Sequence, residues 1–341
     1  MVDSSGPVVV STRQRRPHLL IAGDDLKFIE PMIGYLERHF VIRFDHWTGP
    51  EGHDREHSLE LLKWADIIHC EWMLGNAVWY SWNKSAHQKL IVRVHLFELS
   101  REYGFLPNRD AIDKVIVVSR PTFERAVSTF RLPREIVQIL PNAIAMDGWK
   151  SDKPYDQSRS FRIAMVGAVP SRKGLRRALR ILKVLKEHDE RYCLELFGRQ
   201  PHDVDWVWSN PEERDYFSDC TKKISEWGLE GSVRWRGWSA MDQHWGSLGF
   251  VLSLSDEESF HVAPVEGAVH GVLPVILPWP GAHWIHPDCV LVDDPAAAVD
   301  FIVDHQQQDS RQQVLDVACD FYNRYDARQV AQRYTRLVSN L

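Results

Sequence analysis

An alternation of short apolar runs with amphipathic stretches constrains this chain most, and it occurs twice. "HLLIAG" (18–23) ends in glycine and reads as a buried strand. "KFIEPMIGYLERHF" follows with helical spacing, then "VIRFDHW" as a strand, "SLELLKWA" as a helix and "DIIHCEW" as a strand. "KLIVRVHLFE" (89–98), "KVIVVS" (114–119) and "EIVQILPNAI" add further strands, with "RPTFERAVSTF" a helix between the last two. A polar stretch, "KSDKPYDQSRS" (150–160), then breaks the pattern and reads as a linker between domains. The alternation restarts with "FRIAMVG" (161–167), "GLRRALRILKVLKEH" and "YCLELFG". It continues through the helix "EERDYFSDCTKKISEWG", the strands "SVRWRGW" and "GFVLSLS", the helix "APVEGAVHG" and the strand "LPVILP". Strands that alternate with helices build parallel sheets covered on both faces. The expected fold class is therefore α/β, with two Rossmann-like domains over 1–150 and 151–320 facing a central cleft. Ligands of such sheets lie off the carboxyl ends of the strands, so the cleft is the natural site.

Composition narrows the partners. A chain of 341 residues exceeds what one core usually serves, which supports two domains. The net charge of −6 argues against a general nucleic-acid binder. The 5 cysteines are far apart with no CxxC pair, which suits reduced thiols in a cytosol. No apolar stretch reaches the roughly 18 residues of a spanning helix. The 14 Trp are numerous, and indole offers a flat face to sugars as well as to a core.

Two segments carry chemistry. In "VGAVPSRKGLRRAL" (166–179), Gly167 and Gly174 bracket a turn between strand and helix, with Lys173 at the helix entrance. A cation beside free backbone N–H groups suits a phosphate, although the P-loop spacing is absent. Arg176, Arg177, Arg180 and Lys183 read as a solvated helix face. In "ESFHVAPVEG" (258–267), Glu258 falls on a loop after an apolar strand. Pro264 suits the first turn of a helix, having no N–H to leave unpaired, and Glu266 is expected in that same turn.

Glu258 and Glu266, with Phe260 and Pro264 between them and "GAVHGVLPVI" after, resemble the signature of glycosyltransferase family 4. Those are retaining, nucleotide-sugar-dependent enzymes of the GT-B fold. Lys173-Gly174 looks like that family's phosphate-binding turn. "VVS" (117–119) and "ILPNAI" (139–144) look like its late first-domain segments, and "LIVRVH" (90–95) like the strand that delivers a histidine to the cleft. The segment 321–341 looks like the terminal helix that packs back on the first domain. The resemblance implies that Glu258 holds hydroxyls of the donor sugar, Glu266 the ribose hydroxyls, and Lys173 the diphosphate. It further implies that backbone amides of Phe260, His261 and Val262 face sugar and phosphate. His95 would reach the transferred sugar from the first, acceptor-binding domain. Lys/Arg and helix dipoles replace a metal in this scheme, and no cofactor is implied beyond the donor itself.

The chain departs from the family pattern in places. Ala168 stands where an arginine often follows the glycine, and Arg172 is the candidate replacement. Ser259 and His261 flank Phe260 in place of glycines, and "GDDLKF" replaces a glycine-rich first loop. Trp72, Trp79 and Trp82 offer an acceptor-stacking platform, weighed against core or rim positions. The pairs His53/His57 and His283/His286 lack evident further metal ligands, and Asp24-Asp25 and Asp293-Asp294 read as capping or solvated residues. The arginines of 120–134 read as a solvated face, with contact to an anionic membrane surface as the other reading. The functional expectation is a cytoplasmic, metal-independent glycosyltransferase acting on a saccharide or small-molecule acceptor. A nucleotide-sugar epimerase of the same fold and a catalytically silent binding module are the rival readings.

Overall fold

The computed structural model describes residues 15–146, 157–307 and 310–341. The linker expected over 150–160 lies outside the described residues up to 156. The first sheet contains β1 (His18–Gly23), β2 (Val41–His46), β3 (Ile67–Cys70), β4 (Lys89–Val94), β5 (Lys114–Val117) and β6 (Val137–Ile139). The second contains β7 (Arg162–Val166), β8 (Cys193–Phe197), β9 (Val233–Gly237), β10 (Phe250–Ser253) and β11 (Leu273–Ile276). Their orders are β2-β1-β3-β4-β5-β6 and β11-β10-β7-β8-β9, and the ladders are parallel. Helices α1 (Ile33–Leu36), α2 (Arg55–Trp64), α3 (Gly75–Asn83) and α4 (Arg120–Phe130) accompany the first sheet. The second half carries α5 (Leu175–His188), α6 (Asp205–Trp208), α7 (Pro211–Glu226), α8 (Val262–Val269), α9 (Ala282–Ile285), α10 (Pro295–Gln307) and α11 (Arg311–Tyr325). The chain ends in α12 (Ala327–Ser339). Two helix-flanked parallel sheets are the expected two-Rossmann, GT-B-like architecture.

The strands bury both faces because each face meets helices. On β1, Leu20 and Ala22 enter a core with Tyr80 of α3, while Leu19 and Ile21 enter the opposite one. That second core is closed by Val330, Ala331, Tyr334 and Val338 of α12, so the last helix lies on the first sheet. The return is pinned where Ile144 accepts from the Ala327 amide at 2.9 Å and donates to the Tyr325 carbonyl at 2.9 Å. In α5 the apolar positions Leu175, Ala178, Leu179, Leu182 and Leu185 recur at helical spacing and face the second core.

One element is shorter than its spacing suggests. "KFIEPMIGYLERHF" forms only a 3₁₀ turn at Glu30–Met32 and the single turn α1. Pro31 has no N–H to give, so a helix cannot run through it from Lys27 without losing a bond. The residues before it remain a loop and reach the cleft. No helix among the described residues is long and apolar enough to cross a membrane. The five cysteines are free.

Tyr334 links α12 to the sheet through its hydroxyl, 3.1 Å from His69 Nδ1, while His69 Nε2 meets Glu71 at 2.9 Å. The Nε2 proton goes to the carboxylate, so Nδ1 accepts from the tyrosine. Tyr334→Phe strands a buried acceptor and is expected to lose about 1–3 kcal/mol. Urea unfolding of the first half, followed by far-UV circular dichroism, checks this; an unchanged midpoint would show that the hydroxyl contributes nothing.

Candidate active site

A cavity of about 840 Å³ opens between the carboxyl ends of the two sheets. Lys27, Phe28, Pro31 and residues 142–145 line it from the first half. Val166, Lys173, Asp242, residues 258–263, Glu266 and His270 line it from the second.

The turn after β7 sets the position of Lys173. Gly167 and Gly174 both have positive φ, 78° and 88°. A Cβ on Gly174 would lie 2.3 Å from the Leu254 carbonyl oxygen, so glycine is required on steric as well as conformational grounds. This close approach presses the Lys173 turn against the end of β10, where the Glu258 loop begins. Lys173 Nζ donates to Glu258 Oε1 at 2.5 Å, and Ser255 Oγ donates to the same oxygen at 2.6 Å. Arg172 lies 4.0 Å from Glu258 Oε2 and holds the Glu257 carbonyl at 2.6 Å. Arg177 is more than a solvated face: it bonds the Leu254 carbonyl and pairs with Asp256.

Burial would raise the Glu258 carboxyl, but attraction to His261 and Lys173, with hydrogen bonds from Lys173 and Ser255, outweighs it and holds it at about 2. Burial pulls the His261 imidazole down; Glu258 resists and Lys173 adds to the fall, leaving it at about 4. His261 and Lys173 both bear on the Glu258 charge, and of the two only Lys173 also hydrogen-bonds it.

Helix α8 starts differently from its sequence expectation. His261 adopts φ 58° and ψ 88°, in the left-handed region that favours glycine. A hydrogen bond between His261 Nδ1 and Ser253 Oγ, 2.6 Å, holds the side chain there. Its Nε2 is buried without a partner. The helix therefore begins at Val262, two residues before Pro264, and Glu266 falls in the second turn rather than the first. Glu266 lines the cavity. Burial, with Asp242 adding, raises its carboxyl to about 7. Phe260 is buried with its ring edge-on to Tyr325, 4.8 Å between centres.

The cavity brings together Lys173, Glu258, Phe260, His261, Val262 and Glu266. Gly167 shapes the turn and Arg172 stands behind Glu258. His95 is elsewhere: only 3% exposed, it lies beneath the wall between Phe28 (4.5 Å) and Trp72 (4.4 Å). Its Nε2 is 3.3 Å from Glu71, a fully buried carboxylate also bonded by His69 and 3.7 Å from Arg93. Burial would raise Glu71, but Arg93 and the two histidines overcome this and hold it below the usual carboxylate range. Arg93 continues to Asn142 Oδ1 at 3.0 Å, so the network underlies the cavity floor. Trp72, Trp79 and Trp82 are not on the cavity wall. Trp72 covers His95 and donates to the Asp25 carbonyl at 2.8 Å, Trp79 meets His53 and Tyr80, and Trp82 is 65% exposed.

Sequence reasoning missed Lys27, Phe28, Asn142, Asp242 and His270. "GDDLKF" carried a signal as an unusual loop at the end of the first strand, and "ILPNAI" and "GAVHGVLPVI" were singled out as segments without Asn142 or His270 being named. Among the described residues, no group of three or more His, Cys, Asp or Glu is arranged to hold a metal ion. His53 stacks on Trp47 at 4.0 Å and bonds Ser58, and Asp294 caps α10 through the Ala296 and Ala297 amides.

No protein-family model matches the chain, and no curated protein matches it. Solved structures do. Alr3699/HepE from Anabaena in complex with UDP and glucose is similar at 16% identity and a TM-score of 0.71, covering 95% of this chain and 100% of that one. A glycosyltransferase from Rickettsia africae is similar at 12% identity and TM-score 0.66, covering 95% and 98%. TarM from S. aureus is similar at 13% identity and TM-score 0.61, covering 80% and 54%. At these identities the likeness shows the fold.

The Glu266 carboxyl gives a pH signature. Its folded value lies above that of an unfolded glutamate, so the folded state binds the proton more readily between the two. Stability from this group is present at low pH and lost as pH rises from the ordinary glutamate value of 4.5 to about 7. Glu266→Gln removes that loss. The variant is expected to gain on the wild type between pH 4 and pH 8, by roughly 3 kcal/mol at most. Denaturant unfolding across this range checks it; parallel curves would contradict the raised value.

Proposed function

We propose that this protein is a retaining, metal-independent glycosyltransferase of the family 4 type. In this reading it moves a sugar from a nucleoside diphosphate sugar to a saccharide or small-molecule acceptor. One observation carries the reading: Lys173, Glu258 and Glu266 converge on a single large cleft cavity, with Lys173 and Glu258 joined at 2.5 Å. Similar structures hold UDP with glucose and UDP-glucose, which makes uridine donors the first to test. The second half binds the donor and the first half the acceptor. The free thiols suit a reducing, cytosolic compartment.

The roles follow from charge. The first-turn amides of α8 and the Lys173 ammonium face the diphosphate that joins sugar to nucleoside. Cleavage of the bond from the anomeric carbon leaves its electron pair on a phosphate oxygen. Lys173, Arg172 and those amides stabilise that developing charge, the part otherwise given to a metal. The acceptor oxygen bonds to the anomeric carbon, and its proton passes to the departing phosphate. Glu258 orients sugar hydroxyls and Glu266, in the second turn, meets the ribose. With a carboxyl near pH 7, Glu266 can both donate to and accept from hydroxyls. The Lys173–Glu258 pair means that the donor must share Lys173 with a carboxylate already bound to it.

Lys173→Ala is expected to lower turnover about 10²–10³-fold, roughly 2.7–4 kcal/mol, with a smaller loss for Arg172→Ala. A larger loss at Arg172 would assign the phosphate contact to the wrong residue.

Calorimetry with UDP separates the two glutamates. Glu266→Gln should weaken UDP above pH 7, where the ionised carboxylate makes charge-assisted ribose bonds worth roughly 1.5–3 kcal/mol. Glu258→Gln should leave UDP affinity unchanged or tighter, since it frees Lys173, while sugar transfer is lost. Equal loss of UDP affinity in both variants would sink this division of roles.

A further inference from the structure

Across Pro141 and Phe260 from the donor cleft lies a second cavity of about 300 Å³. It sits where the chain passes between the halves, beside the Ile144–Ala327 contact. Its walls carry three arginines: Arg120 in the first turn of α4, Arg324 at the end of α11 and Arg333 in α12. No Asp or Glu lines it. Arg324 pairs with Asp320 at 3.0 Å and donates to the Trp284 carbonyl at 2.5 Å. Arg120 and Arg333 have no ion-pair partner among the described residues; Arg120 lies over the Trp284 ring, 5.2 Å from its centre. Burial and the nearby Arg324 pull the Arg333 guanidinium below its ordinary value, against Tyr325.

Like charges gathered in a concave site repel, and low-dielectric walls strengthen that repulsion. The chain as a whole has a net charge of −6, so this basic cavity is a local feature against the overall balance. The positive end of the α4 dipole adds to it. Guanidinium groups match the oxygen spacing of phosphate. Half-exposed Trp284 adds a flat apolar face beside the charges.

We propose that this cavity is a second anion site, separate from the donor cleft, that binds a phosphate group between Arg120 and Arg333 with Arg324 beside it. The site stands on its own lining and does not depend on the glycosyltransferase reading. Because Arg120 lies on the first half and Arg324 and Trp284 on the second, a bound phosphate ties the halves together. The group arrives either on a phosphorylated sugar, whose ring rests on Trp284, or as free phosphate.

The test is ³¹P line broadening of inorganic phosphate on titration with the full chain. Wild type is expected to bind phosphate, and Lys173→Ala, which removes the cation paired with Glu258 in the donor cleft, to retain the component of that binding held by Arg120 and Arg333. Arg120→Gln combined with Arg333→Gln should weaken binding at least ten-fold, and the doubly lysine-substituted variant should retain most of it. Neither arginine belongs to a hydrophobic core, so their replacement leaves the cores intact. Glucose 6-phosphate competing at ten-fold lower concentration than phosphate identifies a sugar phosphate as the source; equal competition identifies free phosphate. Absence of binding to wild type overturns the proposal, as does binding that Lys173→Ala abolishes and the double glutamine variant retains.

Discussion

The cleft depends on one ion pair. Lys173 and Glu258 are mostly withdrawn from water, with side chains 16% and 9% exposed, and meet at 2.5 Å. Burying two charges costs several kcal/mol per ion unless geometry and extra hydrogen bonds offset it. Here Ser255 supplies a further bond and Arg172 a second positive charge nearby. The close contact of Gly174 with Leu254 sets the distance between the two segments, so a backbone constraint holds the pair in place. A pair held this way is weak evidence for stability and better evidence for a site, since an apolar substitute would fold as well. The ammonium stands in the cleft already shared with a carboxylate.

A second buried network gives the first half its side of the cleft. Glu71 gathers His69, His95 and Arg93, and Arg93 reaches Asn142 on the cavity wall. Tyr334 closes the far end from α12. The last helix thus touches the floor of the cleft through four side chains, although none of its residues lines the main cavity.

Much of this was legible in the sequence. The strands announce themselves as apolar runs because both faces of a parallel sheet are buried, and "FRIAMVG" and "HLLIAG" are short and glycine-ended as buried strands are. The eight-residue spacing of Glu258 and Glu266 was readable because strand end, loop and helix follow one another locally. What was not legible depends on distant contacts or on backbone choices that residue type argues against. His95 sits at the end of β4, as its strand implies, but Phe28 and Trp72 come from other loops to cover it. Glu71 was not picked out as the partner of His95 and Arg93, because nothing local links "DIIHCEW" to "LIVRVH". The start of α8 moved because His261 accepts a left-handed conformation usually left to glycine, stabilised by Ser253 eight residues earlier. Lys27 and Phe28 reached the cleft because Pro31 forbids the longer helix that their spacing suggests.

The central claim is that fixed cations and helix amides in this cleft meet a nucleotide sugar without a metal. Donor hydrolysis by the intact chain, screened across UDP-, GDP- and dTDP-sugars with and without EDTA, tests it most directly. The account expects release of nucleoside diphosphate from at least one donor, at a rate EDTA leaves unchanged. Release from none of them, or a strict requirement for Mn²⁺ or Mg²⁺, would contradict it.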